Sequence, residues 1–447
     1  MFFFYSLLLT LAFILMLPLF LLRRQKYAAG FRQRLGSYPE FKHDSRKVIW
    51  LHCVSVGETN AARPLVDDLT ANFPNHRIVI STTTLTGQTL AQSIFKDKAD
   101  AVFYFPFDWK FSVRKALANY KPCVVLLMET EIWPRFIREA KKSGANVVIV
   151  NGRLSEKSFD RYSRVRWFVK RALAFVDLAL MQGEADAQRI VFLGMNSEKV
   201  SVTGNVKFDH MVEVSESAFT EEFRQRFAVT GERPLIIAAS THEPEEDWII
   251  EAFSSIAGAI PELLYRVNAE RPRLLIAPRH PERFDQVWRT MLKSGFSAVR
   301  RSSLPTDADK LSDLILLDSI GEMRSLFPLA NAVFVGGSLI PHGGQSVLEP
   351  AAAGKAIVIG PFFSNFASIV DEMNSNQAII TLGPDTKEVS IGKLTQIFIE
   401  ILGNVRIREY MEENVKRIMA ENRGATAKTI EYLRPIFNAS EQVKTEN

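Results

Sequence analysis

Short apolar runs recur along the whole of this chain, and each is followed by a longer stretch with helical spacing. Such an alternation of strands and helices predicts an α/β protein with parallel, doubly wound sheets. The runs are apolar throughout rather than at every second position, as expected of strands buried on both faces. The predicted strands are 48–54, 77–83, 101–107, 123–129, 146–151, 178–182 and 201–203, then, after a gap, 235–240, 273–277, 313–318, 332–336, 356–359 and 378–382.

The gap between the two series of strands is polar and acidic, and we interpret residues 209–234 as a linker with an exposed helix. The chain then divides into an N-terminal Rossmann-like domain over 48–208 and a C-terminal one over 235–447. We expect the two domains to face a cleft and the final helix to cross back to the first domain. Ligands of open α/β sheets bind beyond the carboxyl ends of the strands, so the residues that follow each strand are candidate site residues.

The first 22 residues carry no charged side chain, and five basic residues precede the first acidic one, Glu40. About 20 apolar residues can cross a bilayer, so 1–22 is predicted to be a transmembrane anchor and 23–47 a basic juxtamembrane segment, a buried helix being the alternative. Positive charge beside a span stays in the cytoplasm, which would place the body of the protein there. These five residues account for the whole net charge of +5, so positive and negative charges are equal in number over the rest of the chain. That part of the chain therefore lacks the basic excess typical of nucleic-acid-binding proteins. The five are Arg23, Arg24, Lys26, Arg32 and Arg34.

Glu58 lies at the predicted start of a helix, in the segment Ser55-Val56-Gly57-Glu58-Thr59 that follows the first strand. The dipole at a helix N-terminus favours an ionised carboxylate. Glu58 is therefore a candidate general base, ionised at neutral pH and directed at an acceptor hydroxyl. A first-turn carboxylate that only stabilises its helix is the alternative.

Two further candidates follow later strands of the first domain. Glu129 and Glu131 come at the end of strand 123–129, and if that strand extends, both carboxylates project to one side. A solvated turn is the alternative for this pair. Lys207 follows the last strand and is suited to neutralising a leaving-group phosphate, although a lone lysine also fits a solvated position.

The stretch 153–171 carries seven basic residues and two acidic ones, with apolar residues at helical spacing. This pattern predicts one basic amphipathic helix that contacts an anionic membrane surface. A solvated charged face is the alternative.

A candidate phosphate site lies in the second domain. Arg279 follows Pro278 at a strand end and suits a phosphate. The segment Ile320-Gly321-Glu322 opens a helix with free backbone N–H groups.

The stretch 336–350 has the order strand, glycine-rich loop, helix start, which favours binding of a phosphate or nucleotide. Ser346 and Glu349 also match a capping box. The glycine spacing fits neither a Walker loop nor a dinucleotide fingerprint, which disfavours an NTPase or an oxidoreductase.

In order and spacing, these motifs resemble the bacterial 3-deoxy-D-manno-octulosonic acid (Kdo) transferases of lipopolysaccharide synthesis over nearly the whole chain. The motifs that carry the resemblance, besides the apolar N-terminus, are Ser55-Val56-Gly57-Glu58, Met128-Glu129-Thr130-Glu131-Ile132-Trp133-Pro134, Gly204-Asn205-Val206-Lys207-Phe208-Asp209, Ser240-Thr241-His242-Glu243, Pro278-Arg279-His280-Pro281-Glu282-Arg283-Phe284 and the stretch 336–349. Two departures are Gln345-Ser346-Val347, where the family commonly has His-Asn-Pro, and Arg135 in place of the usual Asn.

The resemblance implies a GT-B fold, CMP-Kdo as donor, the acylated glucosamine disaccharide precursor of lipid A as acceptor, and inverting chemistry with no required metal. It implies that Glu58 is the general base and that Glu129 and Lys207 stabilise the transition state. It also implies a location at the bacterial inner membrane, among anionic lipids. The CMP site that it implies consists of Pro278, Arg279, Ile320, Gly321, Glu322, Ser346, Val347, Leu348 and Glu349.

Two other interpretations stay open. In the first, the chain is another membrane-associated GT-B enzyme, such as a lipid-linked N-acetylglucosaminyl or heptosyl transferase. In the second, it is a nucleotide-binding membrane protein without catalysis.

Overall fold

The computed structural model describes residues 2–22, 29–210, 217–229, 233–264 and 271–442. The chain forms two compact units, Met1–His210 together with Asn422–Asn447, and Met211–Glu421. Each unit contains a seven-stranded sheet in which the paired strands run parallel.

The first unit is built on a sheet whose seven strands are Lys47–Cys53 (β1), His76–Thr82 (β2), Ala101–Tyr104 (β3), Pro122–Met128 (β4), Asn146–Gly152 (β5), Leu178–Met181 (β6) and Val200–Val202 (β7). Their spatial order is β3-β2-β1-β4-β5-β6-β7. Alternate side chains of β1 enter two different buried clusters, Trp50 on one face and Leu51 on the other. Both faces of the sheet are therefore covered, which explains the continuous apolarity of its strands.

Two helices of the first unit precede β1, and the others follow the strands of its sheet. They are Phe2–Leu22 (α1), Phe31–Arg34 (α2), Val56–Asn72 (α3), Leu85–Ile94 (α4), Lys110–Tyr120 (α5), Pro134–Lys142 (α6), Glu156–Ser163 (α7), Arg166–Leu173 (α8) and Glu184–Phe192 (α9).

The second unit has strands Leu235–Thr241 (β8), Arg273–Pro278 (β9), Ala298–Arg300 (β10), Leu314–Leu316 (β11), Ala332–Val335 (β12), Ile357–Ile359 (β13) and Ile379–Thr381 (β14). Their order in the sheet is β10-β11-β9-β8-β12-β13-β14. The remaining helices are Ala218–Arg226 (α10), Glu245–Leu264 (α11), Phe284–Lys293 (α12), Met323–Leu326 (α13), Leu348–Ala352 (α14), Ala367–Ser375 (α15), Lys387–Gly403 (α16), Val405–Asn422 (α17) and Ala425–Gln442 (α18), the last of which belongs to the first unit.

The doubly wound α/β prediction is confirmed, and the thirteen predicted strands are all present with ends within three residues of those predicted. The strand β10 was not predicted. It is three residues long and only Val299 among them is buried, so it lacks the apolar run that reveals the other strands.

The segment 209–234 differs from the predicted linker with an exposed helix. Phe223 in α10 and Phe227 just after it are fully buried, and Arg226 forms an ion pair with Asp309 at 2.7 Å. The helix therefore packs into the second unit, because its aromatic residues lie on one side among the charged ones. Residues 211–216 and 230–232 of this segment lie outside the described residues.

The stretch 153–171 is also not one continuous helix. It contains α7 and α8, separated at Arg164 and Val165, where Val165 has an irregular backbone (φ −120°, ψ 28°). Neither glycine nor proline marks this break in the sequence.

The N-terminal helix α1 lies against the first unit through polar and aromatic contacts. Tyr5 donates a hydrogen bond to Asp108 at 2.8 Å, and Arg135 donates to the backbone oxygen of Phe2 at 2.7 Å. Over the described stretches of the chain, we find no helix with the length and apolarity that crossing a membrane requires, so the transmembrane helix predicted over 1–22 is not found there. The basic residues Arg23, Arg24 and Lys26 lie outside the described residues.

The C-terminal helix α18 completes the first unit. Asp209 accepts hydrogen bonds from the backbone N–H groups of Gly424 at 2.8 Å and Thr426 at 2.6 Å, at the start of the helix. Further along, the ring of Phe437 lies 4.2 Å from that of Phe73 and is fully buried. The chain thus returns to the first unit at Asn422.

We predict that Phe437→Ala destabilises the first unit by about 3–5 kcal/mol, because the lost side chain leaves a cavity in a closed core. Hydrogen–deuterium exchange of the β1 peptide across a urea series should show unfolding at a lower urea concentration. The matched control is Tyr432→Ala, on the same helix but 44% exposed, for which we expect a change within about 0.5 kcal/mol. Equal effects of the two variants would contradict the packing described for α18.

Candidate active site

Glu58 is held in a fixed orientation at the start of α3. Its carboxylate accepts hydrogen bonds from the backbone N–H of Val54 at 2.7 Å and from the hydroxyl of Ser55 at 2.9 Å. Ser55 is the N-cap of the helix and in turn accepts from the N–H of Glu58. This reciprocal capping follows directly from a serine three residues before a glutamate at the end of a strand.

The protonation of Glu58 differs from the prediction that it is ionised at neutral pH. The side chain is only 7% exposed, and burial, followed by the nearby charge of Glu129, raises the pKa of Glu58 to about 8. Glu131 raises it further, while the bonds from Val54 and Ser55 lower it. Desolvation and like charge thus outweigh the helix dipole, whose effect is at most about 2 kcal/mol. Near neutral pH, Glu58 is poised to exchange a proton.

Glu129 reaches its position through a turn rather than through an extended strand. β4 ends at Met128, and Glu129 adopts the left-handed backbone region at φ +54°. Its carboxylate pairs with the ammonium of Lys207 at 2.9 Å. The condition for both carboxylates to project to one side, a strand that extends past Glu129, is therefore not met. Such a conformation costs a non-glycine residue about 1–3 kcal/mol and is typical of functional sites.

Lys207 is set opposite Glu129 by the short helical turn Val206–His210. Its backbone N–H donates to Asn205 at 3.1 Å, and the N–H of Val206 donates to Asn151 at 3.1 Å. Segments that follow β1, β4 and β7 thus meet at the carboxyl edge of one sheet, where they bring together a buried acid and an ion pair. The structure places the three predicted catalytic residues in one electrostatically coupled group.

In the second unit, the glycine-rich loop that follows β12 is organised by an internal carboxylate, Glu245. This side chain is fully buried at the first position of α11 and accepts four backbone hydrogen bonds, each 2.7–2.9 Å long. Burial raises the pKa of Glu245, whereas these bonds lower it. The donors are the N–H groups of His242, Gly337, Ser338 and Leu339.

The amides of Gly337 to Leu339 are therefore already occupied, so this part of the stretch predicted to bind a phosphate does not present them to an anion. Gly337 adopts φ +66°, a region open to glycine, and so turns its N–H toward Glu245. The proposed phosphate contacts must come from the later part of the loop. Sequence reasoning missed Glu245, although a glutamate at a helix start after a strand end is a usable signal.

The helix start at the end of the loop also differs from the predicted capping box. α14 begins at Leu348 with Val347 as its N-cap, and no side chain caps it. The hydroxyl of Ser346 accepts instead from the N–H of Leu348 at 3.3 Å. Glu349 lies in the first turn of the helix, half-buried.

The other predicted CMP-binding residues follow β9 and β11. Pro278 is buried at the end of β9, and the N–H of Arg279 donates to Thr241 at 3.0 Å while its side chain is exposed. Ile320 is 81% exposed, Gly321 has φ +88°, and Glu322 lies 3.6 Å from Arg301. Because β11, β9, β8 and β12 are neighbours in a parallel sheet, these segments share its carboxyl edge with the glycine-rich loop. Their role in binding CMP stays a prediction.

A histidine cluster at this edge was not predicted as part of the site. The ring of His242 lies 4.1 Å from that of His342 and 5.3 Å from that of His280. Burial, then the two neighbouring histidines, lower the pKa of His242 to about 4, and its Nε2 contacts the amide of Gln345 at 3.1 Å. An anion bound here would favour protonation of His242.

Comparison with known proteins gives three results. Residues 29–210 match the family described as 3-deoxy-D-manno-octulosonic-acid transferase (kdotransferase). The chain is 30% identical to the 3-deoxy-D-manno-octulosonic acid transferase of Haemophilus influenzae over 92% of each chain, and 31% identical to that of Bordetella pertussis over 86% of each. A UDP-GlcNAc 2-epimerase structure from Neisseria meningitidis, 13% identical, aligns with a TM-score of 0.50 over 87% of this chain and 100% of that one.

Two parallel α/β units with structural neighbours of the GT-B type, together with these relatives, define a glycosyltransferase. The chain belongs to the family of 3-deoxy-D-manno-octulosonic acid transferases.

We predict that Glu245→Gln loosens the glycine-rich loop. A glutamine offers one acceptor oxygen instead of two, so two of the four N–H groups lose their partner, at roughly 1–3 kcal/mol each. Hydrogen–deuterium exchange should show faster exchange at 337–339, together with a lower Tm. Glu282→Gln, at a side chain 75% exposed, is the control and should change neither. Unchanged exchange at 337–339 in the Glu245 variant would refute the organising role of this carboxylate.

Proposed function

We propose that this protein transfers Kdo from CMP-Kdo to the lipid A precursor, lipid IVA, in lipopolysaccharide core biosynthesis, with inversion at the anomeric carbon. The observation that carries this proposal is the oriented Glu58, buried and of raised pKa, beside the Glu129–Lys207 ion pair. Family membership supports the sugar that is transferred.

In the proposed reaction, ionised Glu58 takes the proton of an acceptor hydroxyl as that oxygen attacks the anomeric carbon of Kdo. The bond from this carbon to the phosphate oxygen of CMP breaks, and CMP leaves with the electron pair. A pKa of about 8 suits this task, because a base is most effective when its pKa lies near the working pH. The bonds from Val54 and Ser55 fix the direction from which the proton is taken.

We assign Lys207 and Glu129 to stabilisation of the transition state. Lys207 supplies positive charge where negative charge develops, and Glu129 holds the ammonium in place at 2.9 Å. In this proposal no metal is required. CMP is held by Pro278, Arg279, Ile320, Gly321, Glu322, Ser346, Val347, Leu348 and Glu349.

We further propose that the protein works at the cytoplasmic face of the bacterial inner membrane and attaches there through α1. The side of α1 turned away from the unit is apolar and exposed, with Phe4 and Leu8 at 65% and Leu15 at 80%. An exposed apolar face of this extent favours contact with lipid. Arg161, Arg164 and Arg166 are exposed on α7 and α8 and at the break between them, and they would favour anionic lipids.

The direct test of the function is mass spectrometry of products from purified protein, lipid IVA and freshly generated CMP-Kdo. We expect the wild type to add Kdo, and Glu58→Gln to lower kcat at least about 100-fold, as expected for loss of a general base. Glu156→Gln, at a side chain 88% exposed in the same unit, is the matched control and should keep its activity. If CMP binds but no Kdo is transferred, the acceptor or the sugar assignment is wrong.

The pH dependence of kcat/KM tests the role of Glu58 independently. Only the ionised carboxylate accepts a proton, so kcat/KM should rise about tenfold per pH unit below the pKa of Glu58, near 8, and level off above it. Lys207→Met removes the cation that neutralises Glu129, so it should move this inflection to higher pH. A profile that is flat between pH 6 and 9 would exclude Glu58 as the base.

A further inference from the structure

A groove of about 300 Å³ in the first unit is lined in part by Glu131. It forms where the segment that leads into α6 meets α1, α7 and α8, with Tyr5 as the contribution of α1. Trp133, Val165 and Phe168 contribute an apolar wall, and Glu131 is the one charged residue among the described residues that line it. The lining therefore suits a hydrocarbon rather than an ion.

Glu131 connects this groove electrostatically to the proposed base. Its charge contributes to the raised pKa of Glu58, and burial, followed by the charge of Glu129, raises the pKa of Glu131 itself. An occupant of the groove would thus approach the carboxylates with its polar end toward Glu131. The rest of its length would lie on the apolar wall.

An exposed cation, Arg161, borders the groove from α7. The guanidinium of Arg161 lies 5.9 Å from the ring of Tyr162, which also lines the groove. An apolar wall with a cation at its border matches an anionic amphiphile, whose chain and head group need opposite surroundings.

We infer that this groove binds an acyl chain of the acceptor lipid and thereby positions the acceptor hydroxyl at Glu58. The inference rests on the proposed function and adds to it a binding subsite for hydrocarbon. Small-ligand pockets span about 300–1,000 Å³, so a groove of this size holds one chain and not the whole lipid. The other chains then stay in the membrane.

The test compares lipid IVA with its deacylated, water-soluble disaccharide as acceptors. Val165→Asp places a charge on the apolar wall at a side chain already 42% exposed, so the fold should tolerate it. We expect the ratio of kcat/KM for the acylated acceptor to that for the deacylated one to fall about tenfold or more, chiefly through KM. Tyr432→Asp, at an exposed residue of the same unit outside the groove lining, should leave this ratio unchanged. An unchanged ratio in Val165→Asp would overturn the inference.

A second measurement separates this inference from the proposed function. Lipid IVA with a photoactivatable diazirine at the end of an acyl chain should crosslink to residues 131–134 and 162–169, as mapped by mass spectrometry. Val165→Trp, which fills the groove, should reduce these adducts several-fold. Adducts found only elsewhere would overturn the groove even if Kdo is transferred. Absence of transfer by the wild type would overturn the proposed function, while the crosslinks still decide the groove.

Discussion

Repulsion between carboxylates is the constraint on which the first unit's site depends. Glu58, Glu129 and Glu131 interact at one edge of the sheet, where burial weakens the screening of their charges. Lys207 neutralises Glu129 directly, and the pKa of Glu58 and of Glu131 rises, so that protons relieve part of the remaining repulsion. Burial, followed by this repulsion, raises the pKa of Glu58 to a value suited to general base catalysis.

The second unit uses a buried carboxylate for a different purpose. Glu245 accepts four backbone N–H groups and so fixes the start of the glycine-rich loop, whereas Glu58 accepts two bonds and lies among other acids. The four donors provide the charge stabilisation that a bound phosphate would otherwise receive from these amides. A loop with its first amides occupied is a rigid support, and the proposed recognition of CMP then depends on the residues that follow it.

Much of the fold could be predicted from the sequence, because strands buried on both faces leave continuous apolar runs. The strand β10 escaped prediction since it has a single buried residue, and the break between α7 and α8 has no glycine or proline to mark it. Residue types at strand ends identified Glu58, Glu129 and Lys207 as candidates. The protonation of Glu58 could not be predicted, because Glu129 and Glu131 follow it by more than 70 positions in the sequence and only the fold brings their charges to it.

The return of the chain to the first unit at Asn422 has a consequence for synthesis on the ribosome. All of Met211–Glu421 is translated before α18, so the second unit has its complete sequence while the first still lacks its last helix. Until then, Phe73 and its neighbours in the core lack the cover that Phe437 provides. The unit translated first is therefore completed last, and its apolar surface stays open to chaperones and to lipid during elongation.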